Sequence, residues 1–148
     1  MASCAIEEAV RNVVAVGADP AKIALLDNFC WADTDRPEEL GLLVRCAEAC
    51  HDLAVEWMMP FISGKDSLKN EYKGKDRRIA IPPTLLISAL GQLADARQAI
   101  SMDFKSAGHH IYLVGSSDGA FAGSAYAAIH GLSGGRIPKV NPTPRARR

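Results

Sequence analysis

The feature that most constrains this chain is a long amphipathic stretch set between two short apolar runs. From Pro37 to about Met58, the residues Leu40, Leu43, Ala47, Cys50, Ala54 and Trp57 recur at intervals of three and four. That spacing puts them on one face of a helix and predicts that this face is buried. Asp35 with Glu38 makes a capping pair, Pro37 suits a first helical turn, and Pro60 stops the helix. Before it, Ile23 to Leu26 reads as a short buried strand with Asp27 and Asn28 at its end; after it, Phe61 and Ile62 open a second strand. Thr84 to Leu90 is nearly all apolar and reads as a strand buried on both sides. Ile111 to Val114, closed by Gly115, reads as another. Strands alternating with helices predict an α/β (or α+β) fold with a mixed sheet.

The remaining segments are read around that frame. Ile6 to Val16 is the later part of a helix with a stripe of Ile6, Val10, Val13 and Val14, ended by Gly17. Glu71 to Arg78 is dense in charge and reads as an exposed hairpin or loop, and Gln92 to Phe104 follows neither period. Ala120 to His130 suits a helix of small residues, and Gly134 to Pro144 an irregular end. The strands need partners that 148 residues barely supply, so part of a larger unit is expected.

Composition excludes several roles. Lys plus Arg and Asp plus Glu both number 17, so neither nucleic acid nor an acidic membrane is the expected main partner. Arg145, Arg147 and Arg148 read as a solvated tail. No run approaches the ~18 apolar residues of a membrane span. Met1 to Val10 carries Glu7 and Glu8 without the basic-then-apolar order of a secretory signal, so a cytoplasmic location is expected. In that compartment Cys4, Cys30, Cys46 and Cys50 are thiols. Cys46 and Cys50, four apart and followed by His51, read as buried small residues on a helix rather than metal ligands.

Two places bear residues suited to chemistry. In Gly64-Lys65-Asp66-Ser67, the glycine lets backbone N–H groups approach an anion, and the lysine supplies a point charge for a phosphate. The aspartate is a hard oxygen ligand for magnesium, and the serine a hydroxyl for a phosphate or a metal-bound water. A P-loop is excluded, because Met59 stands where its first glycine belongs and Asp66 follows the lysine. The same four residues also make an ordinary surface turn. Asp27, at the end of a buried strand, sits where open sheets place ligand-binding groups, or it is a turn aspartate. Ser124 reads as a helix cap, and His109 and His110 as surface residues. No Ser/His/Asp or Cys/His set is arguable.

Several segments together resemble one family. They are Ala9-Val10-Arg11-Asn12, Val16-Gly17-Ala18-Asp19-Pro20, Leu25-Leu26-Asp27-Asn28-Phe29-Cys30-Trp31, Pro60 through Leu68 with Asn70-Glu71, and Ile81 through Ala89. In order and spacing they resemble the synthetase part of phosphoribosylformylglycinamidine synthase, of the aminoimidazole ribonucleotide synthetase superfamily, over about residues 5 to 142. The chain looks like an internal piece of that enzyme's second half. The resemblance implies a partial PurM-like ATP-binding subdomain, with helices on one face of a mixed sheet, over 1–103. It implies the start of the C-terminal PurM-like subdomain over 104–142, and a tail at 143–148.

The resemblance also implies ATP-dependent conversion of formylglycinamide ribonucleotide to the amidine with glutamine-derived ammonia, and ATP and Mg2+ as cofactors. The rest of the synthetase and a glutaminase domain or subunit are the implied partners. By match of position, Asp27, Gly64 and Lys65 would bind ATP and Ser67 the substrate. Lys65 stands where short forms carry a magnesium-binding asparagine, which leaves Asp66 as substitute metal ligand. The chain alone is expected to be inactive. Two other readings are a non-catalytic structural or interaction module that pairs sheet to sheet and self-associates, and another ATP-dependent enzyme of the superfamily, such as a small-molecule kinase.

Overall fold

The structure, a computed structural model, describes residues 1–114 and 119–140. Gly115, the arginine tail and the end of the 104–142 segment lie outside the described residues. Met1–Ile100 cluster into one compact unit and Ser101–Asn141 into a second.

In the first unit, helix α1 (Ala2–Ala15) leads to strand β1 (Ile23–Cys30), then α2 (Pro37–Trp57), β2 (Phe61–Gly64), β3 (Glu71–Lys73), β4 (Arg78–Ala80) and β5 (Thr84–Gly91). A short 3-10 turn follows at Ala96–Gln98. Strand β1 is central in a three-stranded mixed sheet, parallel to β2 and antiparallel to β5; β3 and β4 form a separate hairpin. The expected α/β architecture with a mixed sheet is therefore present.

The register assigns each side chain to a face. Ile23, Leu25, Asp27 and Phe29 of β1 stand opposite Gly91, Ala89, Ile87 and Leu85 of β5, on the side that takes the helices. There Ile6 and Val10 of α1, Cys46, Cys50 and Leu53 of α2, and Leu25 form the core. A Cβ on Gly91 would lie 2.5 Å from the Ala18 Cβ and 3.3 Å from that of Val13, so a glycine is needed for the α1 end to pack this closely. That end is a Schellman turn. Gly17, at φ 108°, donates to the Val14 carbonyl and Ala18 to that of Val13.

Several expectations are corrected. Asp27 and Asn28 lie inside β1 rather than at its end, because β5 pairs with the whole strand from Ile23 to Cys30. Thr84–Gly91 is not buried on both sides. Leu86 and Leu90, 59% and 58% exposed, point away from the helices, and β5 is an edge strand. The buried face of α2 is rotated toward Cys46, Cys50 and Leu53, leaving Leu40 and Ala47 exposed. Its N-cap is Arg36 with no side-chain cap bond, since the Asp35 carboxylate goes to Lys69 instead. The thiol reading stands: all four cysteines lie outside any disulfide, and Cys46 and Cys50 are buried.

The second unit has little regular structure. Ile111–Val114 is not a strand, since among the described residues none pairs with it in a backbone ladder. The helix expected over Ala120 to His130 is shortened to α3 (Ala125–Ile129). Ser124 caps it as expected, accepting from the Ala127 amide. No helix among the described residues is long and apolar enough to cross a membrane.

Candidate functional site

Parallel pairing of β1 and β2 sets Asp27 directly beside Gly64. The Lys65 amide donates to the Asp27 carbonyl at 3.0 Å. The Asp27 carboxylate fills the space that a side chain at Gly64 would take: a Cβ there would be 2.5 Å from both of its oxygens. The two segments singled out in the sequence thus meet at one spot. The structure gives the glycine a packing purpose, because any larger residue would evict the carboxylate of Asp27.

Beyond Gly64 the chain keeps close to β1. Ser67 donates its amide to Phe29 (2.8 Å) and accepts from Trp31 (2.9 Å). Asn70 donates to Trp31 and Lys69 to Ala32. Asp66 turns back over the strand, where its Oδ1 accepts from the Phe29 amide at 3.1 Å. This brings the carboxylates of Asp27 and Asp66 together. Burial first, and then the negative charge of Asp66, push the Asp27 carboxyl above its ordinary value. The Lys65 ammonium donates to the Ser67 hydroxyl. Asp27, Lys65, Asp66 and Ser67 therefore present two carboxylates, a cation and a hydroxyl around one β-strand.

Asp27 also looks onto an apolar groove of about 540 Å3 between the sheet and α2, walled by Phe29, Cys50, Ala54, Met58, Met59 and Phe61. Burial, then the neighbouring Cys46, push the Cys50 thiol up to about 12, so it is an inert wall rather than a nucleophile.

Sequence reading missed a charged cluster behind the turn. The Glu71 side chain is only 2% exposed. It pairs with Arg78 and with Lys73 (2.9 Å), and accepts from the Asp33 amide at 3.3 Å. Asp33 pairs with Lys73 (2.8 Å), and Lys69 with Asp35 (2.6 Å). The bond from Lys73, helped by the Asp35 amide, holds the Asp33 carboxyl down at about 2. Arg78 first, and then Lys73, hold Glu71 at about 2. The available signal was the placing of opposite charges, Asp33 and Asp35 on one side and Lys69, Lys73 and Arg78 on the other. Distance in sequence hid it.

Two carboxylates side by side suit a magnesium ion that takes its other ligands from phosphates and water, as Mg2+ commonly does. Among the described residues no group of three or more His, Cys, Asp or Glu could hold a metal without such help. Residues suited to chemistry are absent from the second unit's helix, where the Ser124 hydroxyl is spent on capping.

Fold and site define a class: a mixed-sheet α/β domain that holds paired carboxylates and a glycine-lysine turn beside its central strand. The sequence matches the family model described as AIR synthase related protein, N-terminal domain, over residues 1–93. The chain belongs to that family. It is 36% identical over 141 residues to the phosphoribosylformylglycinamidine synthase subunit PurL of Gloeobacter violaceus, a match covering 95% of this chain and 18% of the relative. The subunit of the same name from Deinococcus radiodurans is 33% identical over 146 residues, covering 95% and 19%. Among solved structures, that of PurLQS from Thermotoga maritima aligns with a TM-score of 0.55 and 28% identity, over 69% of this chain and 16% of the other. The chain thus spans under a fifth of the length of these relatives. The resemblance read from the sequence is borne out.

Proposed function

We propose that this chain carries part of the nucleotide- and substrate-binding site of a formylglycinamidine ribonucleotide synthetase, a C–N bond-forming ligase of purine biosynthesis. The observation that carries this reading is the meeting of Asp27 with the Gly64–Ser67 turn. In this reading Asp27, Gly64 and Lys65 bind ATP, and Ser67 binds formylglycinamide ribonucleotide. Asp66, with Asp27 beside it, would hold Mg2+, which would supply charge neutralisation for the phosphates. Lys65 adds a positive charge at a phosphate and orients the Ser67 hydroxyl that it now contacts. The site's task is positioning and electrostatics, which suits phosphate-activated amide chemistry.

In the same reading, residues 1–103 are the later part of an ATP-binding subdomain and 104–142 the opening of the next. The working enzyme includes the rest of the synthetase and a glutaminase domain or subunit, in the cytoplasm. The chain by itself forms no amidine. Isothermal titration with Mg–ATP and with the ribonucleotide tests the site. Asp27→Ala weakens the first and Ser67→Ala the second, each by about tenfold. Binding curves unchanged by both substitutions overturn the reading, as does amidine formation by the purified chain for the claim of inactivity.

A second reading, a non-catalytic module that associates through its sheet, is favoured by the open face bearing Leu86 and Leu90. Elution as a clean monomer in size-exclusion chromatography at high concentration counts against it.

A further inference from the structure

Among the described residues the Ser67 hydroxyl is held by Lys65 alone, from within the same turn, so its place depends on what fixes the turn from Lys65 to Asn70. Lys69, two residues on, adopts a left-handed backbone at φ 63°, which a non-glycine residue keeps only when its surroundings enforce it. What surrounds it is charge. The Lys69 ammonium reaches Asp35 and, at 3.6 Å, Asp33. Glu71 stands two residues further on, its amide donating to the Lys69 carbonyl at 2.9 Å. Its buried carboxylate ties the hairpin cations Lys73 and Arg78 to the Asp33 amide on the loop between β1 and α2. The turn is thus gripped on one side by backbone bonds to Phe29, Trp31 and Ala32, and on the other by this clasp.

We propose that Glu71 is a positioning residue: through the clasp with Asp33, Lys73 and Arg78 it holds the Ser67–Asn70 turn, and with it the hydroxyl that meets the ribonucleotide. The ligand assignment rests on the function proposed above; the clasp itself does not. Asp27 and Gly64 are fixed by the β1–β2 pairing, not by the clasp. Loss of the clasp therefore affects the two ligands unequally, whereas a merely structural role for Glu71 weakens both alike.

The test uses Glu71→Gln in the 148-residue chain, read by amide hydrogen exchange and by titration. The amides of Ser67, Lys69 and Asn70 exchange about tenfold faster. The Leu25 amide, bonded to the Pro60 carbonyl, is unchanged. The dissociation constant for formylglycinamide ribonucleotide rises about tenfold, and that for Mg–ATP stays within about twofold. Unchanged exchange at the three amides, or equal weakening of both ligands, overturns the proposal. Should the wild-type chain bind neither ligand, the proposed function fails and the exchange result alone decides the clasp. Should Glu71→Gln not fold, the wild-type chain in about 1 M salt, which screens the partly exposed cations, shows the same selective acceleration; its absence overturns the clasp.

Discussion

Ile23–Cys30 and Ile111–Val114 are both rich in branched apolar residues, yet they meet opposite fates. In the first unit that composition becomes the central strand of a sheet, with Leu25 fully buried. In the second, Ile111, Tyr112, Leu113 and Val114 are between 76% and 91% exposed and form no strand. The difference is not propensity. Strand β1 has a backbone ladder on each edge and two helices over one face. Among the described residues Ile111–Val114 has neither, and Ala127 is the only buried one in its unit. A strand is stabilised by its neighbours' hydrogen bonds and by cover on its face, and apolar composition alone supplies neither.

Paired substitutions break or sharpen this contrast. Leu25→Ala opens a cavity in a packed core and costs about 3 kcal/mol of unfolding free energy in urea. Leu113→Ala, the same chemistry in the second unit, stays within about 0.5 kcal/mol. Equal losses from the two substitutions refute the contrast. Gly91→Ala, which drives a methyl group into Ala18, costs about 1–3 kcal/mol by overpacking. A wild-type melting curve from that variant means α1 is less closely docked than described.

Acid provides the next test. Glu71 and Asp33, held at about 2, lie below the ~4 of free carboxylates. Their contribution to stability is therefore present above pH ~4 and is lost as pH falls through about 2. Exchange protection of the Tyr72 and Ile79 amides should fade over that window, ahead of that in β1. Simultaneous loss in both places refutes a hairpin secured by charge. The smallest effect is at Asp27, whose carboxyl is raised. A raised carboxyl stabilises the fold only at low pH, and that contribution disappears as pH climbs through its folded value. Asp27→Asn accordingly raises the melting temperature slightly at pH 7, while weakening Mg–ATP binding. A lower melting temperature at pH 7 contradicts the burial and charge described there.

Local signals made part of the fold legible. The three-and-four spacing gave α2, Gly17 the end of α1, Pro60 the break before β2, and Ser124 its cap. What failed depended on distant partners. Asp27 and Asn28 look like a strand end because polar residues usually are, yet β5, more than fifty residues later, extends the ladder past them. Leu86 and Leu90 look buried because apolar runs usually are, though both are more than half exposed among the described residues. The site followed the same rule. Family likeness and residue type singled out Asp27 and the Gly64–Ser67 turn. The apposition of Asp27 with Asp66, and the buried Glu71, depend on pairings that no local window contains.

The central position of β1 also sets a timetable. Its antiparallel neighbour begins at Thr84, so on the ribosome some fifty residues must be added after Cys30 before that edge can close. At roughly 5–20 residues per second this leaves β1, and the α1 surface that packs on β5, unprotected for several seconds. Nascent chains of this domain therefore pass through a window in which a chaperone, or another unfinished copy, can seize an oily strand ahead of its rightful mate.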